Sequence, residues 1–248
     1  MVGRSLARIV LQATEKQNLR PRSGDVLAVA SKVVSTCENR IAMLDDVRIS
    51  DKASRLGRRW RMDERLAALV LDEADVILGG VRGFLLTVKN GILTANAGVD
   101  VKNSPPGTAT LWPRHPDASA RALRSALQNS HGVRVGVEIV DSRLTPLRLG
   151  TTGLAIGLSG FLPIDDHRDK PDLYRRKVRV TRSNVADDLA ASAHLLMSET
   201  RERIGAVLIR NAPIVPSESA NSQSAVLTIG RCLITSNIVS VRKRLRCS

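Results

Sequence analysis

Apolar and polar positions along this chain follow two periods, and the switches between them mark its elements. Between residues 3 and 18, Leu6, Ile9, Val10 and Ala13 recur at the spacing of one helix face, so an amphipathic helix is expected first. Pro21 and Gly24 mark a loop. Residues 25–30, DVLAVA, are a short apolar run with branched side chains and read as a buried strand ending at Ser31-Lys32. Asp63 is placed to cap a helix over 64–74, with Leu66, Leu69 and Val70 inward. Residues 76–99 read as a strand followed by a hairpin, whose turn Lys89-Asn90-Gly91 carries the Asn-Gly pair that tight hairpin turns favour.

Residues 100–107 form a polar, proline-containing loop, and Asp117-Ala118-Ser119 opens a helix to about Asn129. VRVGVEIV (133–140) is a strand with Asp141 at its end, and TGLAIGLSG (152–160) is a further apolar, glycine-rich strand. A charged loop spans 165–177, Asn184 caps a long helix over 185–199, and AVLIR (206–210) is a late strand. Residues 211–224 are rich in Ser, Pro and Asn and read as loop, with one more short strand expected over 232–235. No repeat at a solenoid period is visible. Helices and strands mix without strict alternation, so the expected class is α+β (mixed α/β).

Composition narrows the picture. Aromatic residues are 2% of the chain, so the core is one of Leu, Val, Ile and Ala, and base-stacking RNA binders are disfavoured. The formal net charge of +14 suits either nucleic acid or small anionic ligands such as a nucleoside triphosphate. The cationic residues are scattered, and the two dense runs, 58–61 and 242–246, read as a solvated face or tail. With no recognisable binding motif, nucleic acid is the last-ranked partner. Cys37, Cys232 and Cys247 share no metal-like spacing and outline no disulfide framework. No apolar stretch is long enough to span a bilayer. The basic-then-apolar start is interrupted by Gln12, Glu15 and Lys16, so it reads as a helix rather than a signal peptide. A cytoplasmic protein with no membrane partner is expected.

Four places offer chemistry, each with a plainer alternative. Lys32, after a buried strand, reaches a phosphate as a point charge or simply sits exposed at a strand end. Asp100 and Asn103, in ANAGVDVKN (95–103), offer oxygens to a hard cation or form an Asx-type turn. Asp141-Ser142 resembles the carboxylate–hydroxyl pair that holds magnesium in phosphoryl-transfer sites, or is a cap. Glu199, at the helix end, supplies a further metal oxygen or is a solvated glutamate. The glycine-rich stretch 150–160 has no Walker A order, and the chain contains no GKS or GKT triplet, which argues against a P-loop NTPase. His115, His131, His167 and His194 stand in unrelated contexts, with no Ser-His-Asp or Cys-His arrangement.

The order and wording of these segments are together more specific than any one of them. GDVLAVASKVVS (24–35), ANAGVDVKN (95–103), HPDASARALR (115–124), VGVEIVDS (135–142), GTTGLAIGLSG (150–160) and PDLYRRKVRVT (171–181), then ADDLAASAHLLMSE (186–199), resemble successive blocks of the coenzyme F420 gamma-glutamyl ligase family, in family order, over roughly residues 4–210. The resemblance implies an amide ligase that joins the amino group of L-glutamate to a carboxylate of a deazaflavin precursor through an acyl phosphate. It implies GTP as co-substrate, two Mg2+ or Mn2+ ions, potassium as a helper, and a homodimer. Carried over by motif, Asp100 and Asp141 are cation ligands, Ser142 and Glu199 hold the second cation, and Ser31, Lys32 and Asn103 contact the nucleotide. Residues 1–210 are then the ligase-like domain and 211–248 a variable C-terminal segment.

The departures concern the nucleotide and substrate contacts. The family's opening strand and Leu-Pro loop have no counterpart, Thr36 stands where a lysine is common, Arg143-Leu144 replaces a Gly-Arg pair, and Arg175 follows Tyr174 where glycine is usual. A divergent member is expected. A ligase of the same fold acting on another acyl substrate, or a non-catalytic nucleotide-binding remnant, is the alternative.

Overall fold

The computed structural model describes residue 3 and residues 5–238; the basic run 242–246 and Cys247 lie outside the described residues. The chain forms two compact units. One takes the residues up to Asn39 together with Pro113–Ala225, and the other Arg40–Trp112 together with the residues from Val226 onward.

The first unit begins with α1 (Leu6–Lys16), whose N-cap Ser5 accepts a bond from the Arg8 N–H. Ala13 is exposed and Thr14 takes the inward position beside Val10. Thr14 is tolerated there because its hydroxyl donates back to the Leu11 carbonyl at 2.7 Å. The buried strand β1 (Val26–Ala30) runs directly into α2 (Ser31–Cys37). That helix is absent from the sequence reading because SKVVSTC is built of β-branched and small polar residues with weak helix propensity. Burial of Val34 and Ser35 overrides it.

The second unit contains β2 (Ile41–Met43), α3 (Asp51–Trp60), α4 (Glu64–Glu73), β3 (Val76–Val81), β4 (Phe84–Lys89), β5 (Ile92–Ala95) and β6 (Thr108–Thr110). Asp63 caps α4, its Oδ1 accepting from the N–H groups of Arg65 and Leu66 at 2.8 and 3.3 Å. Strands β3, β4 and β5 make an antiparallel meander, while β2 pairs with β6. Asn90 and Gly91 both have positive φ, 50° and 75°, as a two-residue hairpin turn requires. A second hairpin turns at Arg82-Gly83, so 76–99 holds a strand followed by a hairpin, as expected, with both connections tight turns. The run 58–61 closes α3: Arg58 and Arg59 occupy its last turn, exposed, and Arg61 is the left-handed C-cap. Cations there suit the negative end of the helix, in line with a solvated face. Leu69, Val70, Leu85, Ala97, Val99, Ala109 and Leu111 form this unit's core.

Returning to the first unit, the chain forms α5 (Pro116–His131), β7 (Gly136–Leu144), β8 (Thr151–Phe161), β9 (Ile164–Asp166), β10 (Arg182–Asn184), α6 (Val185–Met197), β11 (Ala206–Ile209) and β12 (Pro216–Ser217). The main sheet has the order β11-β1-β7-β8-β12; β1 and β7 are parallel and the other pairs antiparallel. A mixed sheet with helices on both faces is the α+β class read from the sequence. Gly153 marks the face covered by α6, because a Cβ there would meet the Ala190 backbone, and Gly157 marks the α5 face, where one would meet Pro116. The charged loop over 165–177 is in part strand, since β9 pairs with β10. Strand β7 runs four residues further than expected, so Asp141 and Ser142 lie within it. Residues 233–238 are helical, not the strand expected over 232–235: the Ser236 N–H donates to the Cys232 carbonyl, the i to i−4 helical bond. Short apolar runs do not separate the two states by periodicity alone. Among the described residues no helix is long and apolar enough to cross a membrane.

Candidate functional site

Parallel strands β1 and β7 end their pairing at Ala30 opposite Val140. The next residue on each side is polar. Ser31, 4% exposed, donates its hydroxyl to Asp141 Oδ1 at 2.9 Å. Two residues 110 positions apart in sequence are thereby joined at the carboxyl end of the parallel pair, where open mixed sheets present ligand clefts. Lys32 follows on α2, half-buried, its carbonyl accepting from the Thr36 hydroxyl at 2.7 Å. The Thr36 hydroxyl is thus held within its own helix.

Ser142 faces the other way. It pairs with Gly153, and cross-strand partners share a face. That face is the α6 side, so Ser142 turns toward α6 while Asp141, one residue earlier, turns away from it. Glu199 lies just past α6, beyond its C-cap Ser198, rather than within the helix as expected. Its Oε1 accepts from Thr151 Oγ1 at 2.7 Å and lies 2.9 Å from His194 Nε2. Thr151 and Gly153 are two apart on β8 and point to the same face, so Glu199 is anchored to the face that carries Ser142. Gly153 makes this approach possible. Gly153→Ala would drive its methyl into the Ala190 carbonyl, backbone that cannot turn aside as a flexible side chain could. We expect a loss of about 2–3 kcal/mol of stability by chemical denaturation; unchanged stability would show that α6 can retreat without cost.

Asp100 and Asn103 belong to the second unit. Asn96, Ala97 and Gly98 are successive left-handed residues, with φ of 51°, 51° and 74°. Such a run is costly for non-glycine residues and is held from several sides. Asn96 Oδ1 accepts from the Leu85 N–H at 2.8 Å, the Ala97 N–H donates to Thr87 Oγ1 at 2.8 Å, and Gly98 lies against the Trp112 ring, where a Cβ would overlap it. This turn delivers Asp100, which bridges Thr110 through its backbone while its Oδ1 accepts from the Lys102 N–H at 2.8 Å. That local bond is the Asx-type turn weighed for this loop. Asn103, also left-handed at φ 58°, is exposed.

Several polar residues make contacts that went unread in the sequence. Asp117 and Asp187, on the first turns of α5 and α6, accept from backbone N–H groups of β8, Leu158 at 2.8 Å and Ala155 at 3.2 Å. Among the described residues, the strand on that edge, β12, has two residues, so these carboxylates supply acceptors that a longer strand would have given. Burial pushes Asp187 up, against the pull of Arg143 at 3.2 Å and the Ala155 N–H. Glu138 is fully buried on the α6 face of β7, and neither of its oxygens has a hydrogen-bond partner among the described residues. Thr151 and His194 gave no local signal either, because their contact with Glu199 depends on the chain reversal at Ser198. Among the described residues no three His, Cys, Asp or Glu side chains gather into a group that would hold a metal ion.

Residues 1–211 match the family model described as F420-0:Gamma-glutamyl ligase. The chain is similar to the coenzyme F420:L-glutamate ligase of Methanopyrus kandleri, 39% identical over 209 residues, 84% of this chain and 81% of the relative. It is likewise similar to the protein of that name from Methanothermobacter thermautotrophicus, 34% identical over 85% of this chain and 84% of the relative. A third, from Archaeoglobus fulgidus, is 36% identical over 84% of this chain and 82% of its own length.

Proposed function

Because the chain belongs to the F420-0:gamma-glutamyl ligase family, we propose that it is a ligase of coenzyme F420 biosynthesis that joins L-glutamate to a carboxylate of a deazaflavin precursor, using GTP and divalent cations. The observation that carries this reading to particular residues is the Asp141–Ser142 pair. It stands just beyond the end of the parallel β1–β7 pairing, with Ser31 bonded to one member and Glu199 on the face of the other.

All of these groups are oxygen donors, which suits hard cations such as Mg2+ or Mn2+. Asp141, oriented by Ser31, would hold one cation; Asp100 is a cation ligand by the family resemblance alone. Ser142 and Glu199 would hold the second. The small number of carboxylates leaves coordination positions for hydroxyl and triphosphate oxygens. When bound, the cations neutralise charge on the triphosphate during phosphoryl transfer. Lys32 adds a point charge for a phosphate, and Ser31 and Asn103 are further nucleotide contacts. A helper potassium ion and a homodimer belong to the same reading.

The chemistry overcomes the poor electrophilicity of a carboxylate. A carboxylate oxygen of the precursor attacks the γ-phosphorus, GDP leaves, and the resulting acyl phosphate is attacked by the glutamate amine, which loses a proton as inorganic phosphate departs. Purified protein given GTP and Mn2+ is expected to release phosphate only when both L-glutamate and the F420 precursor are present. Asp141→Asn should lower that rate by on the order of 100-fold. Release that ignores both acceptors would contradict the reading, and GTP binding without release would point to a different acyl substrate.

A further inference from the structure

We propose that His194 and Thr151 are positioning residues for the carboxylate of Glu199, an inference that rests on the cation-binding reading of Glu199 above and deepens it. Glu199 lies past the end of α6, so its place is not set by helical geometry. Ser198, with φ 56° and ψ −169°, reverses the chain there, and its N–H closes the last helical turn on the His194 carbonyl at 2.9 Å. The reversal returns Glu199 toward the turn it has just left. His194 Nε2 meets Oε1 at 2.9 Å, and Thr151 Oγ1 meets the same oxygen at 2.7 Å.

The two donors come from different elements. His194 belongs to α6 and Thr151 opens β8, where it pairs with Leu144. The Thr151 rung lies two residues from the Gly153–Ser142 rung on the same face, about 7 Å along the strand. One bond therefore ties Glu199 to the helix before it, and the other ties it to the ladder that carries Ser142. The His194 and Glu199 side chains are 15% and 29% exposed, so water competes for these bonds only in part. A free glutamate loses rotamer entropy when it is fixed. Two donors on one oxygen restrict it before a cation arrives, and partners of this kind typically change metal affinity 10–100-fold. His194 serves in the tautomer that carries its proton on Nε2.

The test is Mn2+ binding to the purified full-length protein, read from the electron paramagnetic resonance signal of free Mn2+, with melting temperature in cation-free buffer as a check on folding. His194→Ala and Thr151→Val should each weaken Mn2+ binding about 10–100-fold. His194→Gln, whose amide nitrogen stands near the Nε2 position, and Thr151→Ser should recover most of the loss. Wild-type affinity in His194→Ala and Thr151→Val, alongside weakened binding in Glu199→Gln, would leave Glu199 a ligand and overturn the positioning role. Loss that the two conservative variants fail to recover would mark a fold defect and overturn it as well. Undiminished binding by Glu199→Gln, or no saturable Mn2+ binding by the wild type, would remove Glu199 from the cation reading and this inference with it.

Discussion

Glu73→Ala is expected to destabilise the protein by about 3–5 kcal/mol, a large share of the stability of an ordinary domain. Glu73 closes α4 and receives two cations at once: Arg40 Nη2 lies 2.8 Å from both of its oxygens, and Lys89 Nζ is bonded to Oε2. The Arg40, Glu73 and Lys89 side chains are 15%, 15% and 10% exposed. Removing the carboxylate strands two cations in a poorly hydrated place, although Arg40 keeps its bond to the Trp112 carbonyl at 3.0 Å. Burial alone would push the Glu73 carboxyl up, but Lys89 and Arg40 outweigh it and hold it below its usual range. The sign follows from that direction. The contribution is present above the ordinary glutamate pKa, about 4.3, and is lost as the pH falls through the lower folded value. Urea denaturation across pH 3–7 checks both points. A loss below about 1 kcal/mol in Glu73→Ala, or an unchanged acid limb, would show that the trio is solvated in practice.

Glu138→Leu should act in the opposite direction and raise stability at pH 8 by about 2 kcal/mol or more. The wild-type carboxyl is fully buried, opposite Leu158 and beside Ala28, on the face packed by α6. Burial, and secondarily the charge of Asp187, raises its pKa well above the usual range. From the unfolded pKa near 4.3 upward, the unfolded chain releases this proton while the folded one keeps it. Wild-type stability therefore falls by about 1.4 kcal/mol per pH unit until the raised folded value is reached. Leucine removes that slope and fits a site already lined by apolar groups. Glu138→Gln removes the slope but keeps an unsatisfied polar group, so it should gain less. If the gap between wild type and Glu138→Leu stays the same at pH 5 and pH 8, the carboxyl is not carried in its neutral form.

Much of the chain declares itself locally. The Asn-Gly turn, the Asp63 and Asn184 caps and the apolar runs of β1, β7 and β8 stand close to where short-range rules place them, because each depends on neighbours within a few residues. The same holds for the motif blocks that carry the family resemblance. The misses share a cause. Helix α2 forms against its propensity because its burial does not depend on local sequence. Strand β7 continues through Asp141 and Ser142 because β8 pairs with it to Leu144, and nothing local distinguishes a polar strand residue from a strand end.

The sequence by itself determined the α+β class, from the mixed order of its elements, and the family, from the order and wording of its motif blocks, and it offered a set of polar residues at strand and helix ends. Only the tertiary structure decided which of those residues meet. Ser31 reaches Asp141 because two strands more than a hundred residues apart pair in parallel. Ser142 and Asp141 separate to opposite faces because the strand does not end between them. Glu199 reaches Thr151 and His194 because one serine turns the chain back. Buried Glu138 and the Glu73 trio are likewise invisible to pattern, because the energy of a charge is set by what surrounds it in space and not by its neighbours along the chain.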